Sequence, residues 1–347
     1  MSATVINPAL PLGSLAPSQT RWIISRRDDM VWFIGSAAIS YLALALMALG
    51  FPVTLIYFIW LIGVDGPHVI ATVSRTYFDK HERARLGWWL WVVLPLMAIG
   101  PVMVWLKQGA LFYLFAVCWQ HYHIAKQHFG FMMLWKAKNR ERGPVEQKLD
   151  RWFLLASTIL PLALFVVWTR LPDSRVLNAA STVSIVGYGA LAAGYIAYQV
   201  KKYRAGMPMN APKLLLLVVL VPLQWLAFMY AARLGPGGIV RAGITLGLFH
   251  SFQYHRLLWF HNKNRYGAPD AKAKHGGVAP FLAKNFGYYI AAAIGLHFLT
   301  TFLPQAMFPA VEWLQAALWG FAFTHYVLDS RIWRVRGDKE LAAALRM

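Results

Sequence analysis

Long apolar runs alternate with short polar stretches along most of the chain. Each run has about the 17–25 residues that an α-helix needs to cross the hydrocarbon core of a membrane. The pattern therefore predicts an all-α, polytopic integral membrane protein with about ten transmembrane helices. The apolar segments lie at 30–49, 51–74, 88–106, 109–134, 152–169, 179–200, 214–232, 239–260, 283–302 and 307–329.

The first twenty residues, MSATVINPALPLGSLAPSQT, lack a basic stretch followed by an apolar core. They predict a disordered N-terminal lead (1–20) rather than a cleaved signal peptide, followed by a single helical transmembrane domain at 21–347. Composition agrees, since 58% of the residues are hydrophobic and 14% are charged, against about 25% charged residues in soluble domains. The single cysteine, Cys118, excludes an intrachain disulfide.

The placement of the basic residues predicts an orientation. With the N-terminus in the cytoplasm, most of the 34 Lys and Arg residues fall in cytoplasmic loops, which attract such residues. We therefore expect both termini inside, in a bacterial inner (cytoplasmic) membrane. The net charge of +20 then reflects topology and attraction to anionic head groups rather than nucleic-acid binding. The basic residues of the opposite side are Lys107, Arg170, Arg175, Arg233 and Arg241.

Histidines interrupt the apolar pattern in four segments, each time toward the same end. The second segment ends with DGPH, the fourth with HYHIAKQH, the eighth with HSFQYHRLLWFH and the tenth with HYVLD. All four run from outside to inside, so these side chains share one depth near the cytoplasmic face. Because ionisable groups inside a membrane are costly and mark functional sites, we predict one shared metal site. Its candidate ligands are Asp65, His68, His121, His123, His128, His250, His255, His261, His325 and Asp329.

Helical spacing ranks the histidine candidates, because residues three, four or seven apart share a helix face. His121 and His128 are seven apart and are the preferred ligands of the fourth segment. His123 points away from that face, and His255 is rotated away from His250. Those two are the weaker candidates if the helices are regular.

The two carboxylates each have a histidine one turn away. Asp65 precedes His68 by three residues, and Asp329 follows His325 by four. A buried carboxylate needs a metal or a cationic partner, so each would ligate directly or orient the neighbouring imidazole. His297 has no such partner in its segment and is expected to form a structural hydrogen bond.

Several imidazoles with one or two carboxylates suit one or two ions of Fe, Zn, Mn or Cu. His123 with His128 and His250 with His255 each form an H-x4-H spacing. On these residues the chain resembles the histidine-box membrane oxygenases, namely fatty-acid desaturases, membrane hydroxylases and alkane monooxygenases. It is also similar to the bacterial membrane dioxygenases that cleave β-carotene. The chain lacks an adjacent His-His pair, so the resemblance concerns the chemistry and not the family.

The resemblance implies two non-haem irons that activate O₂ and attack the C–H bonds of a lipid-like substrate from the bilayer. Hydroxylation, desaturation and cleavage all remain open. Electrons would come from a ferredoxin- or reductase-type donor, and Tyr254, Gln253 and Tyr122 would hydrogen-bond ligands or the oxygen species. An anionic head group or the redox partner would bind polar residues at the site mouth. These are Arg75, Asn139, Arg140, Asn264, Arg265 and Arg331.

Two other classes remain open at this stage. A membrane haem protein with axial histidine pairs would also gather imidazoles at one depth. A metal-ion or proton-coupled transporter would line a path with His and Asp. The carboxylates and the surplus of histidines favour a non-haem metal oxidoreductase over the first. The apolar residues on the outer side of the clusters favour it over the second.

Overall fold

The computed structural model describes residues 20–347, and the predicted lead lies outside this range except for its last residue. Every regular element within the described range is helical. The long helices are α1 (Arg26–Ala48), α2 (Val53–Arg75), α3 (Lys80–Trp105), α4 (Gly109–Lys138), α5 (Pro144–Arg170), α6 (Arg175–Arg204), α7 (Ala211–Arg233), α8 (Ile239–Tyr266), α9 (Phe286–Met307) and α10 (Glu312–Ile332). Short helices lie at Ala271–His275, Val278–Leu282 and Lys339–Ala344.

Seven of these helices, all except α4, α8 and α10, are long and apolar enough to cross a membrane. Helix α6 is the clearest example, because Val183 and Val186 are 72% and 67% exposed along it. Extended apolar surface of this kind suits lipid better than water. The all-α class is confirmed for residues 20–347, and the chain is compatible with a multi-pass membrane protein. Helices α4, α8 and α10 are those that carry three of the four histidine clusters.

One predicted boundary is wrong. The apolar pattern separates the last two segments between residues 302 and 307, whereas α9 continues to Met307 and α10 begins at Glu312. Pro304 lies two residues after a wide, π-helical turn at Phe298–Phe302, in the first turn of the next helical stretch. A proline is tolerated there because backbone N–H groups in the first turn of a helix have no partner within that helix, so the missing N–H of proline breaks no hydrogen bond. The break falls instead around Pro309.

Helices α2 and α9 each contain such a wide turn where they pack together. The turn of α2 spans Leu61–Asp65, and that of α9 begins directly after His297. Wide turns insert an extra residue, change which residues face a neighbour, and often occur at functional sites. Here they lie beside Gly66, where a Cβ atom would collide with the His297 ring. The absent side chain of Gly66 is therefore what allows the imidazole to reach α2.

A buried network of ion pairs joins α4, α5, α6 and α7 at one end of the bundle. Lys213 Nζ lies 2.8 Å from Glu146 and 3.1 Å from Asp150, and Lys202 Nζ lies 2.7 Å from Glu141. Lys136 also pairs with Asp150. Because three lysines already neutralise these three carboxylates, the cluster needs no metal ion. Burial opposes the charge of Glu141, but Glu146 and the nearby lysines hold its pKa below the ordinary value.

Lys213 should be essential to the stability of this end. Replacing it by methionine (Lys213→Met) leaves three buried carboxylates with two lysines, which should cost about 3–5 kcal/mol. Thermal unfolding of the detergent-purified protein measures the loss. Lys201→Met is the matched control, because Lys201 is exposed on α6 and should change stability by no more than about 0.5 kcal/mol. Equal stability of the two variants would show that the network contributes nothing.

Candidate metal centre

Four histidines from four helices meet in the interior. We call them the histidine quartet: His68 of α2, His123 of α4, His250 of α8 and His325 of α10. The ring centroids of neighbours around the quartet are 4.8–5.0 Å apart. All four residues are buried. The sequence prediction that α2, α4, α8 and α10 contribute histidines to one place therefore agrees with the arrangement found.

Several nitrogens of the quartet have no hydrogen-bond partner in the protein. They are His123 Nε2, His250 Nδ1 and His325 Nε2. The Nε2 atoms of His68 and His250 face each other at 3.1 Å. A buried nitrogen without a partner loses its solvation free energy uncompensated. The potential ligand atoms of His68, His250 and His325 lie within 4.8 Å of one another, so these residues could hold one metal ion.

The outward nitrogen of His68 is firmly held. Its Nδ1 lies 2.5 Å from the carbonyl oxygen of Asp65 and 3.0 Å from the Ser251 hydroxyl. The Asp65 carboxylate accepts a hydrogen bond from Ser251 at 3.0 Å and lies 3.5 Å from the same imidazole nitrogen. A carbonyl oxygen can only accept, so Nδ1 carries the hydrogen and Nε2 has the lone pair. This is the arrangement by which outer groups orient a metal-binding histidine.

His325 is oriented in a similar way from α10. Its Nδ1 lies 2.7 Å from the Thr72 hydroxyl and 3.7 Å from Asp329 Oδ1. The Tyr254 hydroxyl donates to the same carboxylate oxygen at 2.9 Å. Tyr254 therefore positions Asp329, rather than facing open space as a hydrogen-bond donor to a bound molecule. The carboxylate still lies close enough to His123 and His325 to share an ion with them.

This geometry corrects the prediction of which face of α4 carries the ligands. His123, which spacing ranked low, belongs to the quartet, whereas His121 and His128 do not. His121 Nε2 is 2.7 Å from the Thr158 carbonyl oxygen, and the His128 ring packs on Phe249. Spacing relates the histidines of α4 to one another but says nothing about which face meets the neighbouring helices.

His255 and His261 lie outside the ligand set, although they were candidates. His255 lies near His68, but its Nδ1 is 2.8 Å from the Tyr289 hydroxyl and its Nε2 is 3.1 Å from the Val64 carbonyl oxygen. Both nitrogens are thus already used. His261 is eleven residues beyond His250, or about 16 Å further along α8, and packs against Trp333.

Two of the predicted catalytic side chains face away from the quartet. Tyr122 is 50% exposed on the outside of the bundle, and Gln253 donates to the Phe33 carbonyl oxygen of α1. Tyr326 replaces them, because its ring stacks on His123 with centroids 4.4 Å apart. Its position next to His325 was visible in the sequence but was not used.

His297 is the other residue that the sequence prediction missed. It is buried, its Nε2 has no partner, and its ring lies against Gly66, next to Asp65. Helical spacing could not reveal it, because its segment contains no second polar residue of this kind. The glycine between Asp65 and His68 was the available signal, since glycine permits close approach of a neighbour.

The polar residues predicted for the site mouth mostly have other partners. Arg75 is buried and donates to the Ile332 carbonyl oxygen at 2.6 Å. Arg265 pairs with Asp79 and Glu82, and Arg331 lies over the Trp89 ring. Asn139 binds the backbone of Arg21, Asn264 donates to Ala344, and Arg140 is exposed in a turn. These residues fasten helix ends and the C-terminal segment, so an arginine rim around the site is not what they form.

A cavity of about 300 Å³ adjoins the quartet. Its wall includes Asp65, His68, His123, His250 and His297 at one end. Cavities of this volume are at the lower limit of small-molecule sites. The ligand set therefore faces a space that a small molecule can occupy.

The geometry makes a direct test of the α4 face possible. His123→Ala should lower the metal content of the purified protein at least about tenfold, by analogy with the losses seen around metal sites. His128→Ala removes an imidazole from the same helix but should retain the metal. Elemental analysis of both variants measures the difference. Loss of metal from His128→Ala but not from His123→Ala would instead assign the site to the helix face that carries His121 and His128.

Comparison of the chain with models of protein families, with curated proteins and with solved structures gives no match. The side chains around the quartet are thus the basis on which a function can be proposed.

Proposed function

We propose that this protein is a membrane-embedded, metal-dependent oxidoreductase with a non-haem centre, in which iron is held by the histidine quartet and Asp329. It activates O₂ to hydroxylate, desaturate or cleave a substrate with an apolar tail. The observation that carries the proposal is the close approach of His68, His250 and His325, whose potential ligand atoms lie within 4.8 Å of one another, in a quartet with buried nitrogens that have no partner in the protein. A nitrogen-rich site with a carboxylate and no thiolate suits iron that reacts with O₂.

The distances support a metal ligand set. Two nitrogens that each lie about 2.1 Å from one ion are roughly 3–4 Å apart, which fits the 3.1 Å between His68 and His250. His68, His250 and His325 form one possible triad, and His123, His325 and Asp329 form another. Because the triads share His325, two ions would need a further ligand. Asp65 and His297 are near enough to the quartet to be the candidates.

The chain itself supplies a dry and oriented environment. Thr72 and Tyr254 hold Asp329, while Ser251 and the Asp65 backbone hold His68. Bound iron would supply O₂ activation, and the buried pocket would protect the reaction from water. Tyr326, stacked on His123 beside the cavity, is placed to contact the reacting end of the substrate.

The proposal includes a membrane arrangement. Ten helices would cross a bacterial cytoplasmic membrane, α4, α8 and α10 among them, with both termini in the cytoplasm. The predominance of Lys and Arg in the loops assigned to that side supports it. The quartet would then lie toward the cytoplasmic face. The electron donor would be an external acidic protein of the ferredoxin or reductase type, bound by those loops.

Two observations disfavour the alternatives. The quartet rings are in mutual contact, which leaves no flat space for a porphyrin between any pair of them. An ion path would need polar groups throughout its length, whereas the middle of the cavity is lined by residues such as Leu246 and Leu318. Both favour a non-haem oxidoreductase over a haem protein or a transporter.

The decisive experiment combines metal analysis with oxygen labelling. Purified protein should contain iron and show no haem absorption band. With a ferredoxin, its reductase and ¹⁸O₂, it should introduce ¹⁸O or new double bonds into an extract of membrane lipids, as read by mass spectrometry. His325→Ala should abolish both iron binding and product, since His325 belongs to both triads.

His81→Ala is the matched control, because it also removes an imidazole but from a half-buried position outside the bundle interior. It should keep the metal and the activity. Wild-type protein without any transition metal, or a His325→Ala variant with unchanged metal content, would contradict the proposal.

A further inference from the structure

We infer that the substrate is a single-chain amphiphile with an uncharged polar head, which enters tail first from the end of the bundle where α8 and α10 begin. This inference rests on the proposed function, whose substrate class it specifies. It depends on the direction, length and lining of the cavity beside the quartet.

The cavity follows one face of each of two parallel helices. On α10 the lining residues other than Phe321 recur at helical spacing and form a single stripe: Gln315, Leu318, Trp319, Ala322 and Tyr326. On α8 the stripe runs from Ile239 through Gly243 and Leu246 to His250. Both stripes lead from the first turn of their helix to the quartet. The cavity therefore runs lengthwise through the half of the bundle on one side of the quartet.

The length of this cavity suits one extended chain. Tyr326 lies eleven residues after Gln315, which is about 16 Å along a helix at 1.5 Å per residue. Carbon–carbon bonds of about 1.5 Å give an extended chain roughly 1.3 Å per methylene. A chain of about twelve carbons would thus reach from the first turn of α10 to the quartet.

The far end of the cavity is polar but uncharged. Apart from Gln120 and Thr301, the wall between it and the quartet is mainly apolar and includes Phe228, Leu246 and Leu318, whereas Gln305 and Gln315 lie at the far end. The Gln315 amide donates to the Phe308 carbonyl oxygen at 2.9 Å, which leaves its own carbonyl oxygen as an acceptor. Amide groups at the far end fit a hydroxyl or another neutral head.

The absence of a cation in the wall disfavours an anionic head in this position. Among residues 20–347, none that lines the cavity is Lys or Arg. A carboxylate or phosphate would therefore be buried without a cation, which is strongly unfavourable. This differs from the anionic head group expected from the loop arginines, which are engaged elsewhere.

Gly243 offers a way to shorten the cavity. A Cβ atom at this position meets nothing within 4 Å, so a larger side chain there projects into open space. Gly243 lies seven residues before His250, or about 10 Å from it along α8. A phenylalanine at 243 should therefore stop a long tail short of the quartet without touching the metal ligands.

The test uses 1-dodecanol with a photoreactive diazirine at its terminal carbon, the protein in lipid nanodiscs, and mass spectrometry of labelled peptides. In the wild type, light should label peptides that contain His68, His123 or Tyr326. In Gly243→Phe this labelling should fall at least about tenfold and move toward the first turns of α8 and α10. Gly243→Leu should give a smaller decrease.

Gly187→Phe is the matched control. Gly187 is exposed on α6 and has nothing within 4 Å of its Cβ position, so this variant should label like the wild type. Iron content and thermal stability of each variant show whether the quartet and the fold are intact. Quartet labelling that persists in a folded Gly243→Phe variant would overturn the inference.

Two further outcomes are informative. A dodecanoate probe with the same diazirine should label the quartet peptides much less, and equal labelling would overturn the uncharged head. Labelling by dodecanol at Gln305 or Gln315 in place of the quartet would show the reverse orientation and also overturn the inference. A protein that labels as expected but contains no metal would refute the proposed function alone.

Discussion

The structure depends on the burial of four imidazoles in mutual contact. Each unpaired nitrogen among them costs about 1–3 kcal/mol when it is removed from water. The surrounding residues do not form hydrogen bonds with those nitrogens. Thr72 and Ser251 instead contact the other ring nitrogens of His325 and His68, which restricts the rotation of both rings. The packing of α2, α4, α8 and α10 therefore holds the imidazoles in place, and a bound cation would offset the free-energy cost of burying their unpaired nitrogens.

Much of this arrangement could be predicted from the sequence, because it follows from composition along the chain. Apolar runs indicated the helices, and the histidine positions indicated which helices share a site. Which face of α4 is turned toward the quartet could not be predicted in this way. It is set by contacts such as the bond from Gln127 to the His250 carbonyl oxygen, which puts His123, four residues earlier, on the same face. His297 was missed because its approach depends on Gly66 and on two irregular turns.

The two ends of the bundle differ in their buried charged side chains. At the end near the quartet, Arg265, Asp79 and Glu82 form buried ion pairs. Burial works against the carboxylate of Asp79, yet the Tyr266 hydroxyl and the Arg265 guanidinium hold its pKa below the ordinary value. These three ion-paired side chains fasten a loop to a helix and are unavailable to a ligand. At the other end the cavity is lined by uncharged polar residues such as Gln305 and Gln315.

The wide turns of α2 and α9 have a consequence for how residue spacing is counted along these helices. A π-helical turn is an α-helix with one residue inserted, so loss of one codon within 61–65 or 298–302 would restore a regular helix. The extra residue is absorbed locally, because a wide turn spreads over about five residues the rotation that about four residues complete in a regular helix at about 100° each. The parts of α2 before and after Leu61–Asp65 therefore keep the relative facing that they would have in a regular helix one residue shorter. Counting residues from Trp60 to His68 in the sequence thus overstates by one residue the spacing that decides which helix face they share.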